Sequence, residues 1–125
     1  MDINVYLKSL VDVDNTIIII CDLNHTIIYM NEEAKIVYAQ KGMDLMGKNL
    51  MDCHNKCSAK KIEEVIKWFK KDKNNNRVHT FFNEKQNKDA YMIALRDENK
   101  ELIGYYEKHE FRDKDTTPFY DIFDW

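Results

Sequence analysis

The feature that most constrains this chain is a change of hydrophobic period at Asn74-Asn75-Asn76. Before it, Ile62, Val65, Ile66 and Phe69 recur at helical spacing, with Glu63 and Glu64 ahead and Lys67, Lys70 and Lys71 behind. That is an amphipathic helix whose charges suit its dipole, and Ser58 is its expected cap. After it the period is two. Residues 77–83, 88–96 and 102–111 read as strands separated by the polar turns 84–87 and 97–100. On the middle strand Tyr91, Ile93 and Leu95 share one face, and Met92 and Ala94 share the other. A one-sided helix followed by an antiparallel meander has one economical solution, in which the helix lies on the sheet.

Upstream, TIIIICD at residues 16–22 is apolar on both faces and rich in β-branched residues, as a strand buried on each side requires. Leu23-Asn24-His25 turns the chain, and residues 26–30 return as the second arm of a hairpin. Asn31 is a helix cap with Glu32 and Glu33 in the first turn, and that helix stops near Gly42. At the start, Asp2 caps a short helix in which Ile3, Tyr6, Leu7 and Leu10 form a narrow apolar stripe. So short a helix needs the domain body or a second subunit to cover that stripe. The end of the chain, with Pro118, Phe119, Tyr120, Phe123 and Trp125, is apolar enough to pack on the domain or on a partner.

A chain of 125 residues supports one domain. Its net charge of -3 offers no excess of cations for nucleic acid, and residues 16–21 are too few to span a bilayer. No signal sequence opens the chain, so a cytoplasmic protein with reduced cysteines is expected. There is no phosphate loop among three glycines and no nucleophile elbow, and the expectation is a protein that is not an enzyme.

The order of elements, with IIIICDLNHTIIYMNEEAKIVY opening and ALRDENKELIGYYE closing, resembles the PAS sensor family over residues 12–113. More narrowly, GKNLMDCHNKCSAKKIEEVIKWF is similar to the Cys-His-Pro-Pro segment of a PAS subgroup found at the end of some hemerythrin-like domain proteins, and the final Asp-Trp is similar to the ends of such chains. The resemblance implies an α+β fold: a five-stranded antiparallel sheet with helices over one face and a pocket between the sheet and the long helix. A short helix at residues 1–11 precedes this domain, and the aromatic tail, residues 114–125, follows it. The implied work is sensing, in which a small-molecule ligand changes how the domain meets a second copy or a separate effector protein. Two departures stand out. Asn55 and Lys56 replace the subgroup's two prolines, and Phe111-Arg112-Asp113 replaces the Asp-Ile-Thr that usually couples the last strand to an effector.

Carried over from PAS sensors with a related segment, His54 is the expected axial ligand of haem b. Met92 is a candidate second ligand, and Ile62, Ile66 and Phe69 are the expected pocket wall. Cys53, His54 and Cys57 are three zinc-type ligands within five positions, one short of a structural site. Cys53 and Cys57 are also candidates for a redox role beside a helix start. The alternatives to haem are flavin, a colourless metabolite such as a fatty acid, and no cofactor at all. In the last case the domain is a dimerisation module. The cysteinyl-flavin motif is absent, because Gly47-Lys48-Asn49 is followed by Leu50.

Overall fold

The computed structural model describes residues 1–122 and 124. The closing aromatic residues Phe123 and Trp125 lie outside the described residues. The elements are α1 (Ile3–Asp12), β1 (Ile17–Asp22), β2 (Ile27–Met30), α2 (Glu32–Gln40), a 3₁₀ turn (Leu50–Cys53), α3 (Lys56–Lys71), β3 (Arg77–Asn83), β4 (Lys88–Arg96), β5 (Leu102–Phe111) and a 3₁₀ turn (Tyr120–Ile122). The strands form one antiparallel sheet in the order β2-β1-β5-β4-β3. This is the expected α+β architecture, with the three late strands at the expected bounds.

Aspartate sets two of the tight turns. Asp22 Oδ1 accepts from the backbone N–H of Asn24 and Thr26, and Asp97 Oδ1 does the same for Asn99 and Glu101. Gly104 is required where β5 passes β1, because a Cβ there would lie 2.3 Å from the Cys21 carbonyl oxygen. Asn31 is fully buried and serves four backbone groups. It caps α2 through Ala34 N–H, accepts from Ile18 N–H, and donates to the carbonyls of Val11 and Thr16.

The long helix begins earlier than its sequence suggests. Asn55, not Ser58, is the cap, and its side chain accepts from Ser58 N–H at 2.8 Å. Both residue types cap well, so local preference alone does not separate them. The consequence is that Lys56 and Cys57 occupy the first turn, while Glu63 and Glu64 sit in mid-helix rather than near its start.

The core lies between the inner face of the sheet and α2, the 3₁₀ turn Leu50–Cys53 and α3. Ile17, Ile19 and Cys21 of β1 meet Met92 and Tyr105 across the sheet and Leu50, Ile62, Ile66 and Phe69 above it. Phe69 and Tyr105 are the largest fully buried side chains, and truncating either to Ala costs about 3–5 kcal/mol. By contrast α1 buries none of its residues, so Ile3, Tyr6, Leu7 and Leu10 are exposed. In the tail Phe119, Tyr120 and Ile122 are exposed as well.

Candidate functional site

The site is built from the residues that link the 3₁₀ turn to α3. Leu50 is buried and anchors the turn, and His54 closes it with extended backbone before Asn55 starts the helix. That connection holds the His54 ring in one orientation, since Nδ1 lies 2.8 Å from the Leu50 carbonyl oxygen. A carbonyl only accepts, so Nδ1 carries the proton and Nε2 bears the lone pair of the neutral ring.

The ring lines a cavity of about 720 Å³ between the first half of α3 and strands β3 to β5, within the usual range for small-molecule pockets. Ile62, Val65, Val78, Phe81, Ala90 and Met92 supply an apolar lining. Lys60, Lys61 and Glu64 of the exposed side of α3 reach its rim. His54, Ile62 and Met92, expected to share one pocket, are therefore brought together. Ile66 and Phe69 are not among the lining residues; they lie one and two turns further along α3, in the core. Cys57 is on the lining and exposed, Cys53 is exposed at the end of the 3₁₀ turn, and Cys21 is buried in β1, where burial pushes its thiol up to about 12. Among the described residues no three His, Cys, Asp or Glu side chains are grouped to hold a metal, so Cys53, His54 and Cys57 do not form a zinc-type cluster.

Two lining residues carry no signal in the local sequence: Glu107 and His109. They follow Tyr105 at period two on β5 and so project from the inner face, where neighbouring strands place apolar groups. Burial raises the Glu107 carboxyl toward its neutral acid, with nearby His54 opposing the shift. His109 is only 6% exposed, and its Nδ1 lies 3.0 Å from Nζ of Lys88. Burial first, then the charges of Lys88 and Lys41, lowers His109 to about 4. Of the remaining histidines, His25 bonds the Tyr105 hydroxyl at 2.8 Å, and His79, which also lines the cavity, bonds Asp89 at 2.8 Å.

The sheet order, the helices gathered over one face and the cavity beneath α3 are accompanied by a match of residues 7–109 to the family model described as PAS domain. The chain belongs to the PAS family. No curated protein matches it. Among solved structures, this PAS domain is similar to a C-terminal domain from Streptococcus mutans, at 15% identity over 90% of this chain and 87% of that one, with a TM-score of 0.69. The PAS domain of a protein from Colwellia psychrerythraea matches at 18% identity over 88% and 97%, with a TM-score of 0.63. A sensory box sensor histidine kinase from Vibrio cholerae matches at 14% identity over 86% and 87%, with a TM-score of 0.55. At these identities the likeness is one of fold. Among the described residues no helix is long and apolar enough to cross a membrane.

The residues that close the PAS domain's last strand have a local use. Arg112 donates to Asp89 and to the Tyr91 hydroxyl, both at 2.8 Å, and Asn87 donates to Asp113. These contacts fasten the end of β5 to β4.

Proposed function

We propose that this PAS domain is a signalling sensor whose cavity takes a small ligand, with haem b as the leading cofactor and His54 as its iron ligand. The observation that carries the reading is the Leu50 carbonyl fixing Nδ1 of His54, which leaves Nε2 as the metal-binding nitrogen on an apolar cavity wall. The similarity of GKNLMDCHNKCSAKK to the Cys-His-Pro-Pro subgroup supports it. The other residues fit such a group: Met92 offers a thioether from the opposite wall, and Lys60 and Lys61 suit carboxylates at the rim. When bound, haem supplies an iron centre responsive to small gases and to redox state.

The chain's own part is to couple occupancy to packing. His54 joins the buried Leu50 turn to α3, so a ligand that pulls on its ring shifts the start of the helix that roofs the cavity. A separate effector protein reads that shift. The chemistry is coordination rather than turnover, in a cytoplasmic setting where Cys53 and Cys57 stay reduced unless an oxidant reaches them.

Titration with haemin, followed by absorption in oxidised and reduced forms, tests the assignment. A saturable Soret band at one haem per chain, lost in His54→Ala with unchanged circular dichroism, is the expected result. Unchanged uptake by that variant overturns the role of His54, and no saturable uptake by the wild type discards haem. Flavin or a colourless metabolite would then be sought in the same cavity by native mass spectrometry.

A second reading rests on a different observation, the exposure of the whole apolar stripe of α1. It makes the domain a homodimer in which a second copy covers that stripe, with or without a cofactor. Sedimentation should show concentration-dependent association that disappears when residues 1–10 are removed.

A further inference from the structure

The inner wall of the cavity holds a hydrogen-bond donor for which no acceptor is found among the described residues. Lys88 is only 7% exposed, and its ammonium points at His109 Nδ1 at 3.0 Å. An ammonium has hydrogens to give and no lone pair, so Nδ1 is the accepting nitrogen and the proton of the neutral ring resides on Nε2. His109 makes no other side-chain hydrogen bond among the described residues, and none of the buried side-chain nitrogens shut off from solvent lacks a partner. Nε2–H must therefore open on accessible space, and the space that His109 lines is the cavity.

Charge points the same way. Lys88 makes no ion pair with a carboxylate among the described residues, and neither does Lys41, whose charge acts on both Lys88 and His109. Among the described residues Lys88 has only the His109 ring and the face of Phe111, 5.9 Å away, to offset its burial. A buried cation without a counter-ion is costly, and an anion taken up beside it relieves that cost.

We propose that the cavity selects an apolar carboxylic acid, whose carboxylate accepts from His109 Nε2–H with Lys88 behind the ring as the charge that fixes the donor. The proposal rests on the reading of the cavity as a ligand site, and it names what that site recognises. His109 is the residue that touches the ligand; Lys88 is a positioning residue. The apolar lining from Ile62, Val65, Phe81 and Ala90 receives the hydrocarbon or ring body. A fatty chain and the propionates of a porphyrin both supply such an acid, and the chemistry at His109 is shared.

Two matched probe pairs test this: decanoate against decan-1-ol, and haemin against its dimethyl ester, each titrated by calorimetry. The wild type is expected to prefer the acid of at least one pair by about tenfold or more, the size of one charge-assisted hydrogen bond. The pair that shows it identifies the source. His109→Leu should abolish the preference, lowering the acid's affinity far more than the neutral probe's. His109→Gln, which keeps an N–H donor, should restore part of it, and Lys88→Met should weaken it in a protein with an intact His109. Equal affinity for acid and neutral forms in the wild type overturns the proposal and leaves the cavity as a ligand site. So does a preference that survives His109→Leu. Failure of all four probes to bind overturns the cavity reading and the proposal together.

Discussion

Arg96 is the residue whose removal should report most directly on how α3 is held over the cavity. The helix ends at Asp72 in an extended conformation, φ -150° and ψ 135°, without the left-handed residue that commonly satisfies the last carbonyls. The Arg96 guanidinium does that work from β4. Nη2 donates to the carbonyls of Phe69 at 2.7 Å, Asn75 at 3.0 Å and Asp72 at 3.2 Å; Nε donates to Asn76 Oδ1 at 2.7 Å, and Nη1 to the Lys100 carbonyl at 3.1 Å. The contacts to Phe69 and Asn75 are partly buried, and a charged donor there is worth about 1.5–3 kcal/mol, while water replaces much of what is lost at the exposed acceptors. Arg96→Ala should therefore cost about 2–3 kcal/mol. For a domain of this size that lowers the melting temperature by about 6–12 °C. Arg96→Lys, with one compact donor group in place of a fork, should recover less than half. Urea unfolding followed by tryptophan fluorescence measures both, with the slope unchanged. A difference between Arg96→Ala and wild type below about 0.5 kcal/mol, the range of ordinary surface substitutions, would refute the clasp.

Asn31→Ala should cost about 3–4 kcal/mol in the same urea assay, because it removes a helix cap and leaves buried backbone groups of β1 and α1 without partners; a loss under 1 kcal/mol would mean that water replaces the side chain. His109 makes stability pH-dependent with a definite sign. Its folded value of about 4 lies below the ordinary 6.5, so the unfolded chain binds the extra proton, and stability present above pH 6.5 is lost as pH falls toward 4. The loss is up to about 3 kcal/mol. Glu107, shifted upward by burial, acts in the opposite direction, so the comparison to make is wild type against His109→Gln across pH 4–7. The stability of the wild type relative to the variant should fall as pH drops from 6.5 toward 4, and parallel profiles would remove His109 as the source.

What was legible in the chain is what is decided locally. The three late strands, the Asn31 cap and the buried stripe of α3 follow from side-chain period and from hydrogen bonds spanning a few residues. The same reasoning misplaced the start of α3, since Asn55 and Ser58 offer equivalent caps. The anchoring of Leu50 and the ring bond of His54 place the turn just before Asn55.

The cavity chemistry was legible only in part. His54 stood out because it lies directly before the strongest helix. Lys88 and His109 are 21 positions apart, and they meet because β4 and β5 pair with Ala90 opposite His109, which puts Lys88 one step along the same face. Sequence by itself determined the elements and their buried faces, through interactions between residues close along the chain. Tertiary structure alone decided which polar groups share a wall of the cavity, because strand register brings distant residues into one low-dielectric space and only there do their charges and protons depend on one another.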